Sequence, residues 1–164
     1  MDQPGKKHPQ VNADGFAIAA LLAPGMALAI FFTGHGLSDL SIAPGDIVRL
    51  LGSFLFLLLI VSFWGALPSL IFGGLVLAVI QRIPWRGQPT ALVFMTGGVV
   101  AASLYVMTGF GVAGLSPGVA MFFAPWATDL GTPDAHGRDL WLVASLLLSG
   151  AAAGLIYSAF AKRG

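Results

Sequence analysis

Long apolar runs alternate along this chain with short segments that hold nearly every charge. A membrane-spanning helix needs about 20 apolar residues to cross about 30 Å of hydrocarbon. Four runs meet that demand: about Phe16 to Thr33, Ile47 to Gln81, Ala91 to Phe110 and Leu140 to Ala161. Arg49, near the start of the second run, is the one charge inside them. The pattern predicts an all-α membrane protein, residues 1–164 forming a single integral membrane domain with four transmembrane helices.

The second run is too long for one straight crossing. As a continuous helix its residues from Ile47 to Gln81 extend about 52 Å. Pro68 lies midway, where it removes a helix hydrogen bond and clashes with the carbonyl of Trp64. Two shapes follow. One is a long helix kinked near Pro68, and the other is two short spans in a tight hairpin.

The placement of basic residues selects the first. With four spans and a cytoplasmic N-terminus, Lys6, Lys7, Arg82, Arg86, Lys162 and Arg163 lie inside, and only Arg49 and Arg138 lie outside. Six against two satisfies the positive-inside rule, and a fifth span breaks it. Both termini are therefore expected in the cytoplasm. The first run exceeds the usual length of a signal-peptide core and ends in Thr33-Gly34-His35-Gly36 without a small-residue cleavage site, so it reads as a retained span.

Two outer segments join the spans. Gly34 to Asp46 is turn-rich, with Pro44-Gly45 and an Asp46 suited to capping the next helix. Gly111 to Asp139 holds Ser116-Pro117, the apolar Val119 to Phe123 and Pro125-Trp126, which predicts a short interfacial or re-entrant helix between helices three and four. Trp64, Trp85, Trp126 and Trp141 are candidate markers of headgroup depth, Trp64 only if helix two is broken.

Composition narrows the function classes. Charged residues make up 9% of the chain where a soluble domain commonly carries about a quarter, and all seven acids are Asp. The net charge of +1 and the absence of any basic block beyond Lys6-Lys7 argue against nucleic-acid binding. Without cysteine there is no disulfide, thiol catalysis or thiolate metal ligation. No cofactor is implied.

Two constellations stand out. Gly150, Gly154 and Ser158 recur every four residues on one face of the fourth span, and Gly97, Gly98, Ala101 and Ala102 offer a smooth face on the third. Small residues let helices approach closely in lipid, either within one bundle or against a partner, which is another membrane protein or a second copy of this chain. The second constellation is on the outer face, where His35 and Asp39 are four apart and Asp134 and His136 follow span three. Imidazole with carboxylate suits zinc and related ions. The spacing matches no standard zinc pattern, and solvated loop charge is the competing reading.

The spans otherwise offer only hydroxyls, among them Ser145, Ser149, Tyr105 and Tyr157. Serine hydroxyls in helices commonly bond to their own backbone one turn back. Breaks at Pro24-Gly25 and at Gly65 to Pro68 are candidate ion contacts through freed carbonyls, against the simpler reading of structural kinks.

Gly73-Gly74-Leu75-Val76-Leu77-Ala78-Val79-Ile80-Gln81-Arg82, preceded by Ala66-Leu67-Pro68, resembles the second helix of many small, uncharacterised four-span proteins of the bacterial inner membrane. The resemblance implies a fold and a location, and no activity. The expected function is a non-catalytic scaffold or accessory subunit in the lipid bilayer. The alternative is a small transporter or permease component with an outer His/Asp gate; an interfacial enzyme using His35 or His136 as base lacks a nucleophile.

Overall fold

The computed structural model describes residues 12–35, 47–83, 90–116, 118–119 and 136–161. Among them are four long α-helices: α1 (Ala13–His35), α2 (Ile47–Arg82), α3 (Ala91–Leu115) and α4 (His136–Ala161). All four are long and apolar enough to cross a membrane. The second apolar run is one helix of 36 residues, which passes through Trp64 and Pro68 without a chain reversal. α3 continues beyond Phe110 to Leu115. Of the segment expected to hold a short helix between α3 and α4, residues 117 and 120–135 lie outside the described residues, and Gly118 and Val119 are helical.

Local chemistry fixes several helix ends. Asn12 caps α1: its side-chain oxygen accepts the Gly15 N–H at 2.9 Å, and its carbonyl accepts the Phe16 N–H at 3.0 Å. Thr90 precedes α3 in an extended conformation, and its carbonyl receives the Val93 N–H at 3.0 Å. At the other end of α3 the chain turns extended at Ser116, whose N–H reaches the Val112 carbonyl at 2.8 Å. Pro24 and Pro68 sit inside α1 and α2.

The helices close into a ring in chain order. α1 packs on α2 and α4, and α3 packs on the same two; the α3–α4 contact is the most extensive and the α2–α3 contact the least. Neighbours run antiparallel. Along α1 and α2 the pairs are Phe32 with Phe54, Pro24 with Gly65, and Phe16 with Gly73. Between α2 and α3 they are Ile80 with Gly97 and Phe72 with Tyr105. α4 returns alongside α1, with Asn12 bonded to Phe160 and Phe31 bonded to Trp141. Asn12, Arg82, Thr90 and Ala161 therefore share one end of the bundle, and His35, Arg49, Leu115 and His136 share the other. This is the up-down-up-down plan of a four-helix bundle.

Burial is inverted relative to a protein in water. Most of the buried positions are small or carry hydroxyls, among them Ala19, Ala20, Ala23, Ala27, Ser145, Ser149 and Ser158, and Ile80, Phe94 and Val106 are the large apolar exceptions. Large apolar side chains point outward, with Leu115 89%, Val48 81% and Phe63 79% exposed. In water such a surface is far beyond the few hundred Å² of apolar patch a monomer commonly shows. In lipid it costs nothing, and close helix approach through small residues supplies the stability.

Candidate functional site

The α3–α4 seam is built on glycine. A Cβ at Gly98 would fall on the carbonyl oxygen of Gly150, and a Cβ at Gly150 would fall on that of Gly98 and within 2.9 Å of the Ala102 Cβ. One turn along, a Cβ at Gly154 would meet the Phe94 carbonyl and come within 2.9 Å of the Met95 Cα. The obstacles are backbone atoms, which cannot swing aside as a side chain does. Ser158, a further turn on, is buried, and its hydroxyl donates to the Leu155 carbonyl at 2.7 Å.

The two glycines of the third span face different neighbours. Gly98 meets α4, whereas a Cβ at Gly97 would lie 2.8 Å from Ile80 Cδ1 and 3.2 Å from Val76 Cγ1 on α2. Ala101, half-buried, lines the space between the helices. Adjacent residues on a helix point about 100° apart, so a pair of small residues serves two interfaces at once.

α1 and α2 meet where Pro24 faces Gly65. A Cβ at Gly65 would lie 2.5 Å from Pro24 Cβ and 2.6 Å from Pro24 Cγ, and one at Gly25 would lie 2.7 Å from Leu58 Cδ2. The two sequence breaks, Pro24-Gly25 and Gly65 to Pro68, thus stack on each other, and Pro68 is buried at this crossing. A ring on one helix fills the gap that the missing side chain leaves on the other.

Inside the ring lies a cavity of about 690 Å³ lined by all four helices. It runs from Phe31 and Leu142 at one end to Ile80 and Tyr157 at the other, and its wall is almost wholly apolar. Two serines on that wall already have partners: the Ser145 hydroxyl, 1% exposed, donates to the Trp141 carbonyl at 2.7 Å, and Ser149 donates to the Leu146 carbonyl at 2.8 Å. At the Asn12 end, Ala19, Ile80, Phe94 and Tyr157 form a buried cluster. Tyr157 there receives Phe94 edge-on at 5.0 Å between ring centroids and Phe16 at 6.3 Å.

The outer His/Asp constellation is described only in part. His35 ends α1 and His136 begins α4, so their backbones share one end of the bundle. Asp39 and Asp134 lie outside the described residues. Among the described residues no group of three or more metal-ligating side chains comes together.

Three features have little or no signal in the sequence. Trp141, read there as a marker of headgroup depth, donates its indole N–H to the Phe31 carbonyl at 3.2 Å, tying α4 to α1. The Pro24–Gly65 crossing pairs residues 41 positions apart, with nothing in either helix to name the other. The cavity depends on how four helices diverge, which no single run encodes. Comparison with protein-family models, curated proteins and solved structures found no match.

Proposed function

We propose that this chain is a non-catalytic integral protein of the bacterial inner membrane, acting as a scaffold or accessory subunit. The observation that supports this most directly is the state of the polar groups inside the bundle. Ser103, Ser145, Ser149 and Ser158 each donate to a carbonyl of their own helix. Among the described residues no buried side-chain nitrogen or oxygen lacks a partner. A path for ions or polar solutes requires groups that replace hydration, and these four hydroxyls are already engaged within their helices.

The orientation proposed is cytoplasmic for both termini. Arg82 lies at the bundle end shared by Asn12 and Ala161, next in sequence to Lys162 and Arg163, and Arg49 lies at the opposite end. At 36 residues α2 is about 54 Å long, well beyond the hydrocarbon core. A tilt of α2, with a bend near Pro68, accommodates that excess, and an interfacial helix in the segment after Leu115 completes the outer face.

Reconstitution tests the reading. Purified protein in sealed proteoliposomes should add no proton, potassium or small-solute flux above that of protein-free vesicles. It should also leave native membranes in mild detergent with a companion protein at fixed stoichiometry. A saturable, selective flux would instead support the permease alternative.

A further inference from the structure

We propose that the cavity inside the bundle is a binding site for one acyl chain of a bilayer phospholipid, which enters between α2 and α3. This rests on the chain being embedded in a membrane, and adds a ligand to the scaffold reading.

Size comes first. Packed interiors hold few voids larger than a water molecule. An engineered cavity of about 150 Å³ already takes up benzene, and ligand pockets commonly measure about 300 to 1,000 Å³. The 690 Å³ here falls within that last range. Its length is informative as well. From Phe31 to Phe16 the wall follows α1 for about 22 Å, whereas half of the hydrocarbon core is about 15 Å. The space therefore takes the full reach of a chain from one leaflet.

Wall chemistry selects the class of ligand. Ala19, Ala23, Leu57, Ile60 and Phe72 present hydrocarbon to the cavity. The hydroxyls of Ser145 and Ser149 donate to carbonyls of α4, so they offer no donor to a polar headgroup, and Trp64, Ser69, Tyr105 and Tyr157 are the few other polar-tipped side chains on a wall that is otherwise hydrocarbon. A saturated or singly unsaturated chain matches such a wall; a sugar, a phosphate or an ion does not.

Access and polarity follow from the helix contacts. The interface between α2 and α3 is the smallest of the four, and residues of both helices line the cavity, so this is the side where it adjoins the bilayer. The cluster of Ala19, Ile80, Phe94 and Tyr157 closes the end near Asn12. The terminal methyl therefore points to that cluster, and the headgroup stays in the leaflet at the end marked by His35 and Leu115.

Photochemical mapping tests this on the full-length protein in bilayers. The probe is phosphatidylcholine carrying a diazirine near the end of one acyl chain, followed by digestion and mass spectrometry. Adducts are expected on inward-facing Phe16, Val76 and Phe94 in addition to the outer surface, and they should be lost in Ala101→Phe, which fills the cavity. Adducts confined to outward residues such as Leu59, Phe63 and Met107 in the unmodified chain would overturn the proposal, whatever the fate of the variant. So would interior adducts that an isoprenoid lipid displaces and excess phosphatidylcholine does not, since that outcome assigns the cavity to a branched chain. Neither result touches the scaffold reading, which stands or falls on flux and copurification.

Discussion

Gly98 on α3 and Gly150 on α4 sit backbone against backbone, each occupying the space where a Cβ of the other would stand. Gly150→Leu should therefore destabilise the bundle by about 3 kcal/mol or more, the upper end of the range for overpacking, because the obstacle is a carbonyl. Leu148→Ala, at an exposed position on the same helix, should cost far less. Thermal unfolding in detergent checks both. Unchanged stability of Gly150→Leu with loss of a copurifying protein would move this seam from the bundle interior to a partner.

Gly111→Ala should have the opposite sign. A Cβ there meets none of the described residues within 4 Å, and the residue is mid-helix in the last part of α3. Alanine restricts the unfolded chain and suits a helix better, so a gain of about 0.4 to 1 kcal/mol is expected. The same unfolding measurement reads it, and a loss of stability would place a neighbour against Gly111.

Asn12 joins two helix ends through one side chain. Its oxygen caps α1 at the Gly15 N–H, and its amide donates to the Phe160 carbonyl at 3.2 Å on α4. Asn12→Ala removes both contacts and should cost about 2 kcal/mol, combining a lost cap with a lost hydrogen bond. Asn12→Ser keeps a capping oxygen but lacks the reach to Phe160, so about half of that loss is expected. Equal losses for the two variants would show that the cap contributes little.

The four helices were legible because a bilayer demands length and apolarity, and runs such as Phe16 to Thr33 state both without reference to any other part of the chain. The continuity of α2 needed more than that. Pro68 is a break signal by itself, and the choice of one helix over a hairpin came from the basic residues flanking the spans, which constrain crossings rather than local shape. Spacing alone put Gly150, Gly154 and Ser158 on one face, but the residues opposite them depend on the rotation of α3, which turns Gly98 to α4 and Gly97 to α2. The cavity had no local sign at all, since Ala101 reads as part of a smooth packing face and nothing along the chain marks Ala23 as a lining residue until the ring of helices is closed. The outer histidines and aspartates pose a different difficulty: His35 and His136 stand at helix ends, Asp39 and Asp134 lie outside the described residues, and spacing alone sets no geometry among the four.

The native chain has no cysteine, so single cysteines report position without background. Asp14→Cys, Arg49→Cys, Arg82→Cys and Leu115→Cys are each at exposed residues, two at either end of the bundle. Labelling with a membrane-impermeant thiol reagent in sealed right-side-out vesicles, before and after permeabilisation, locates all four. A bundle that crosses the bilayer four times with both ends inside labels at positions 49 and 115 from the outside, and at positions 14 and 82 only after permeabilisation. Positions 49 and 82 labelling from the same side would contradict α2 as a spanning helix, and with it the four-span bundle.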